Sequence, residues 1–449
     1  MRAVVLFLVF LLTSALAPLS AVAEEQREEV RQGFALFTGD EDGRDAALAY
    51  FGEQGSQAAA ALILAMRFVR DDRFPEVLRD ITGETAPQSW SDWMLWQEAH
   101  PEIEPFEGFD LLHAWAHSQI DANFQLFLGA GKKHEIRIEE IVWGGVVKDG
   151  IPALNHPRLI AADAAGWLND EDLVFGVSIN GDARAYPLRI LDWHEMFNDT
   201  IGGVPVALAY CTLCGSGILF ETRLDRFERE LVFGSSGFLY RSNKLMYDTE
   251  THSLWNQFTG RPVVGPLTGS GIELKTRPVV IARWADWRRD NPETRVIDID
   301  TGFSRDYAPG AAYTSYFASP DLMFPTRVDQ SDLKQKDYVF ALRAAPVEKA
   351  WPLDLFAGGA VINDSAGVVD LVLIGDAASR TVRAYRSDGM TFEKGGDPAV
   401  VMQDGSRWKV TEDALVGPDG RSLARLPGHI AYWFAWSGYF GGEGELAGR

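Results

Sequence analysis

Apolar positions fall into two textures along this chain. From residue 24 to about 133 they recur at helical spacing. Residues 46–51 and 56–69 are alanine-rich runs joined by Gly52-Glu53-Gln54-Gly55. Residues 89–100 carry Trp90, Trp93 and Trp96 three apart, and 109–128 is amphipathic before the glycines and lysines of 129–133. Stacked helical hairpins of this kind make a packing or docking module. After Ile136 the apolar runs shorten, and Gly, Pro, Asn and Asp break them. Residues 173–177, 204–210 and 218–220 read as short strands with tight turns. The pattern predicts an α+β multidomain protein: an α-helical domain over 24–133, then a mainly β region.

That region carries an internal repeat. Residues 172–208 align over 337–373 without a gap, and eleven of the 37 aligned positions are identical. They include Val174/Val339, Phe175/Phe340, Pro187/Pro352, Asn198/Asn363, Asp199/Asp364 and Gly202/Gly367. Further on, Trp255 and Trp408 fall at matching places. The alignment predicts two related β units, 134–328 and 329–449, packed on one another. Shared residues are then framework, with Asn198-Asp199 expected in a turn. Residues present in one copy alone are candidates for chemistry. His194 stands opposite Gly359, Cys211 opposite Asp376, and Cys214 opposite Ser379.

The beginning of the chain reads as an address. Arg2, an unbroken apolar run over 4–12 and the small residues Ala21-Val22-Ala23 form a secretory signal cleaved after Ala23. The apolar core is too short to span a bilayer, and no later stretch is long enough. An exported protein, periplasmic or extracellular, is expected, with no membrane span after cleavage. Of 449 residues, 42 are basic and 64 acidic, a net charge of −22, which disfavours nucleic-acid binding. Two cysteines exclude a disulfide-stapled scaffold.

Those two cysteines lie in Cys211-Thr212-Leu213-Cys214-Gly215, directly after a strand. A C-x-x-C-G turn aims both sulfurs at one point, the knuckle form of many metal sites. The helix that follows a thioredoxin-type pair is missing. His194, 17 residues earlier, is the best further ligand. Two thiolates and an imidazole favour copper or zinc. Glu195 is a candidate to orient a metal ligand or transfer a proton, and Met246 is a candidate thioether ligand for copper(I). Two alternatives stand beside this Cys2His site. One is a non-catalytic binding or interaction module in which Cys211 and Cys214 form a structural disulfide, as export permits. The other is a thiol-disulfide redox protein. The partner is a small molecule or a protein, and no reaction follows from these residues. His113 and His117, with Asp121 a turn further on, are either a metal-binding face or a packing pair. Gly234-Ser235-Ser236-Gly237 with Tyr240, Arg241, Asn243 and Lys244 is either an anion cradle or a glycine-rich turn.

Several of these segments agree in order and spacing with a known family. Residues 182–187, His194-Glu195 with Asn198-Asp199, and Tyr210-Cys211-Thr212-Leu213-Cys214-Gly215 come first. Residues 233–237, 242–246 and Ser253-Leu254-Trp255 follow. Over roughly 143–440 the chain resembles the bacterial and archaeal family called domain of unknown function 3179. That resemblance implies no reaction. Thr212 departs from the proline expected in many members, and the amino-terminal helices lie outside it.

Overall fold

In a computed structural model the chain divides into two compact units, residues 1–131 and 132–449. The structure describes residues 17–328, 333–344, 347–441 and 443–448. Residues 1–16 of the expected leader lie outside that set, and Ala21-Val22-Ala23 falls within helix Ala17–Thr38. No helix among the described residues is long and apolar enough to cross a membrane.

The first unit is helical, as its periodicity predicts. Helices Glu41–Gln54, Ala59–Phe68, Arg73–Thr82, Trp90–Ala99 and Phe109–Ser118 follow the first one. Local chemistry sets their ends. The Asp40 carboxylate caps the second helix by accepting from the Gly43 amide. Ser89 and Asp92 form a reciprocal capping box at Trp90. Gly83 ends Arg73–Thr82 in the left-handed region that glycine adopts without steric cost. Phe51, Leu62, Phe74, Trp93 and Leu112 are buried between the helices. His113 and His117 are a packing pair. Both are buried, with rings 4.4 Å apart, and His117 Nδ1–H donates to the His113 carbonyl. Burial lowers the His117 pKa to about 4, so the ring stays neutral.

The second unit is mainly β and contains several sheets. Leu173–Ile179 pairs with Asp182–Pro187, a helix Leu188–His194 follows, and Met196–Ile201, Val204–Cys211 and Ser216–Glu221 form a meander. The same order recurs as Tyr338–Ala344, Val347–Pro352, the short helical turn Leu353–Phe356, Ala360–Ala366, Val369–Asp376 and Thr381–Arg386. The register recurs with it. Val174 faces Pro187 and Phe175 faces Tyr186; Val339 faces Pro352 and Phe340 faces Trp351. Cys211 faces Ser216 as Asp376 faces Thr381. Each sheet even adds a late parallel strand, with Val296 beside Ala185 and Leu446 beside Ala350.

Side chains repeat the pattern. The Tyr186 hydroxyl donates to the Asp199 carboxylate at 2.8 Å, and Trp351 Nε1–H donates to Asp364 at 2.8 Å. The Arg184 guanidinium and the Lys349 ammonium supply the neighbouring cation in each case. The Asn198 amide brackets the Phe233 backbone, donating to its carbonyl and accepting from its N–H, and Asn363 does the same for Phe392. The Asn198-Asp199 pair therefore belongs to strand Met196–Ile201 and not to a turn. It is the following Gly202, at φ 53°, that turns the chain. The role of the pair is to tie its strand to a neighbouring sheet through side-chain bonds, which strand spacing alone does not reveal. One apolar core takes residues from both segments, among them Phe175, Tyr186, Phe197 and Leu219 with Phe340, Trp351, Leu371 and Val382.

Candidate functional site: a cavity beside the Cys211–Cys214 turn

Strand Val204–Cys211 delivers Cys211 to a single 3-10 turn, Thr212–Cys214. Gly215 then takes φ 59° and reverses the chain into Ser216–Glu221. A Cβ there would lie 3.0 Å from Cε1 of Tyr338, so glycine serves both the left-handed backbone and the close approach of an aromatic ring. The two cysteines are joined to each other as a disulfide with Cα atoms 5.2 Å apart. Both are buried. The Ser242 carbonyl oxygen lies 3.3 Å from the Cys214 sulfur, and the Asn243 amide donates to that sulfur at 3.4 Å.

His194 does not join them. It ends helix Leu188–His194, and both ring nitrogens have partners elsewhere. Nδ1 lies 2.8 Å from the Pro152 carbonyl, and Nε2 lies 2.6 Å from the Tyr307 hydroxyl, which in turn meets Thr301 Oγ1. The carbonyl can only accept, so Nδ1 carries the proton and Nε2 accepts from Tyr307. Burial lowers the His194 pKa and keeps this tautomer neutral. Among the described residues no group of three or more His, Cys, Asp and Glu side chains could hold a metal ion. The expected Cys2His site for copper or zinc thus has no support in this arrangement: its sulfurs bond each other, and its imidazole holds a loop. Glu195 is committed to Lys244, at 2.8 Å, and Lys244 also donates to Ser235. Met246 is buried in strand Asn243–Asp248, opposite Trp255.

The expected cradle around Tyr240 is likewise occupied by the protein itself. Arg241 pairs with Glu140, Asn243 reaches Cys214 and Gln257, and Lys244 holds Glu195. Its turn is nonetheless unusual. Arg241 and Ser242 both adopt positive φ, 48° and 58°, a conformation costly for residues with a Cβ.

Open space lies on the other side of the cysteine turn. A cavity of about 840 Å³ is walled by residues from both β segments and by the stretch from Pro309 to Pro320. Its apolar walls include Leu173, Leu188, Leu353 and Phe317. Its polar groups are Glu171, Asp172, Asp192, Ser319, Tyr210, Tyr338, Tyr432, Arg189, Lys336 and Arg380. The Tyr210 hydroxyl, one residue before Cys211, donates to Asp192 at 3.2 Å. Burial pushes the Asp192 pKa up to about 7 against the pull of that bond and of Arg380. Arg380 Nη1 donates to the Tyr338 hydroxyl at 2.6 Å, and that hydroxyl donates to Tyr432 at 3.0 Å. The two tyrosine rings stack with centroids 4.4 Å apart. Behind them Tyr316 donates to the Leu213 carbonyl, inside the cysteine turn. The disulfide turn is therefore part of the wall behind this tyrosine pair.

These cavity residues carry no local motif. One signal does exist for Arg380. The 165-residue offset that sets Cys214 over Ser379 sets Gly215 over Arg380, so an arginine occupies the place of a turn glycine.

No curated protein and no solved structure matches this chain. One family model does, over residues 148–443, which covers the disulfide turn, the cavity and both β segments. The chain belongs to the DUF3179 family, described as protein of unknown function.

Proposed function

We propose that this chain is an exported small-molecule-binding protein whose site is the cavity between the two β segments, with the Cys211–Cys214 disulfide holding the wall in place. The observation that carries the reading is the cavity itself. It combines apolar walls with a few converging polar groups, the composition of ligand pockets. A bridged cysteine pair suits an oxidising compartment and agrees with the leader pattern of the first 23 residues. The two β segments are read as copies of one ancestral unit, supported by the recurring registers and by the paired Asn198/Asn363 and Asp199/Asp364 bonds. A cleft between two such copies frees each to change its own lining. That is how one copy carries Gly215 where the other carries Arg380.

The test is a thermal-shift panel of polar and amphipathic metabolites on the full chain. At least one class is expected to raise the midpoint of the wild type, because a molecule that binds only the folded state stabilises it. Ala378 is exposed on the cavity lining. Ala378→Trp places an indole at that lining and is expected to abolish the shift while the unliganded midpoint holds. A shift that survives the tryptophan would move the binding site elsewhere. Loss of a stoichiometric copper or zinc from native protein on treatment with a chelator would return the metal reading.

A further inference from the structure

We infer that the cavity takes an organic anion, a carboxylate on an apolar body, and that Arg380 and Tyr432 are the donors that select it. The inference rests on the binding reading above and names its ligand class.

The chain has 22 more acidic than basic residues, so an unpaired cation has no shortage of carboxylates to meet. Most arginines do meet one. In the cavity wall Arg189 pairs with Asp172, and Glu171 pairs with Arg283. Arg380 and Lys336 form no ion pair among the described residues. Lys336 spends its ammonium on two carbonyl oxygens, those of Tyr316 and Ser319, and lies over the Tyr316 ring. Carbonyl oxygens solvate its charge without neutralising it, and Asp321 acts on it only at a distance. Arg380 makes its side-chain hydrogen bond to Tyr338 through one nitrogen of a five-donor fork. The cavity thus holds two cations with no carboxylate among the described residues in direct contact; Asp192, which burial tends to keep protonated, and Asp321 reach them only through space.

The hydroxyl chain points the same way. Tyr338 accepts from Arg380 and donates to Tyr432. Tyr432 uses its oxygen as acceptor in that bond, so its own O–H proton remains to be donated. A guanidinium at one end polarises the chain toward a donor at the other. The donors left over at this end of the cavity, the remaining Arg380 N–H groups and the Tyr432 O–H, suit an anion, and charge-assisted bonds to a carboxylate are the strong ones. Leu173, Leu188, Leu353 and Phe317 in the same cavity suit an apolar body and disfavour a bare inorganic ion.

Backbone strain is the third and independent observation. Arg380 stands at φ 53°, and Gly215 at the matching place stands at φ 59°. The fold requires a left-handed residue here, which glycine supplies without steric cost and arginine does not. A side chain kept at a strained position, where glycine would fit better, points to work done by that side chain.

The experiment follows benzoate and its neutral isostere benzamide by ligand-observed NMR and calorimetry on the full chain. Wild type is expected to bind benzoate at least tenfold more tightly than benzamide. Arg380→Gly is expected to lose at least tenfold in benzoate affinity while its thermal midpoint stays level or rises, because the strain is relieved. A merely structural arginine would lower that midpoint. Arg380→Asn, which tolerates the left-handed region but carries no charge, covers the case in which the glycine variant fails to fold. Benzamide binding as well as benzoate, or unchanged benzoate affinity in both variants, overturns the anion claim. A neutral compound from the panel that is blocked by Ala378→Trp would do the same yet leave the binding reading standing. Absence of any binder in panel and titration alike overturns both.

Discussion

Asp192 shows how a single side chain couples the cavity to pH. Its carboxyl lies where Tyr210 donates to it, where the charges of Arg380 and Glu195 reach it, and where Tyr313 feels its field. Burial outweighs the Tyr210 bond and the Arg380 charge and raises its pKa to about 7. An unfolded aspartate titrates near 3.9, so from about pH 4 to 7 the folded state holds a proton that the unfolded state has released. The stabilisation from this group is complete below about pH 4 and is lost as pH rises through 7. Asp192→Asn keeps the neutral form at every pH. Relative to wild type it should therefore gain stability between pH 5 and pH 8, read as a growing difference in urea midpoints. A difference that is the same at both pH values would mean that burial does not hold the proton. His194 is the contrasting case: it is neutral because it is buried, and its two bonds already use both nitrogens.

At the scale of one element, the two strand-ending turns solve a single problem with different chemistry. In the first, Cys211 and Cys214 are bridged. In the second, the Asp376 carboxylate accepts from the Ser379 amide at 3.1 Å and from its hydroxyl at 2.9 Å. Both turns then pass into a left-handed residue and a returning strand. Equivalent backbone should accept an equivalent bridge, so the double substitution D376C/S379C is expected to oxidise without a catalyst. Thiol titration should find no free cysteine, and the four-residue loop should add up to about 2 kcal/mol of stability. Two persistent thiols would show that the turns differ more than their registers suggest. This level of the molecule was largely legible. The short apolar run 204–210, set off by Gly202-Gly203, marks the strand to Cys211, and the capping residues Asp40 and Ser89 accompany helices that periodicity marks. The site was not legible in the same way. The spacing from His194 to Cys211 is compatible with a shared ion, but the residue that holds the imidazole, Tyr307, is 113 positions away. Tyr210, Tyr338, Arg380 and Tyr432 meet only through tertiary packing, and no local pattern encodes such a meeting.

For the second unit as a whole, the shared core decides how the two β segments behave. Each contributes large apolar side chains to the same cluster, Phe175 and Tyr186 from one and Phe340 and Trp351 from the other. Neither can lose its partner without exposing that surface, so the pair should unfold in one cooperative step despite their recurring strand order. Matched substitutions test this. Asn198 is buried, donates to Asn155 and to the Phe233 carbonyl, and accepts from the Phe233 amide. Asn363 makes the same two bonds to Phe392 at an exposed position. Asn198→Ala and Asn363→Ala each leave the backbone groups of a buried phenylalanine, Phe233 or Phe392, without these bonds, and each is expected to cost about 2–3 kcal/mol. Both losses should appear in the same transition, with tryptophan fluorescence and far-UV circular dichroism moving together in urea. If Asn363→Ala instead splits the curve into two steps, the second segment folds on its own. The cavity between the segments would then be a joint between two bodies and no longer a pocket fixed within one.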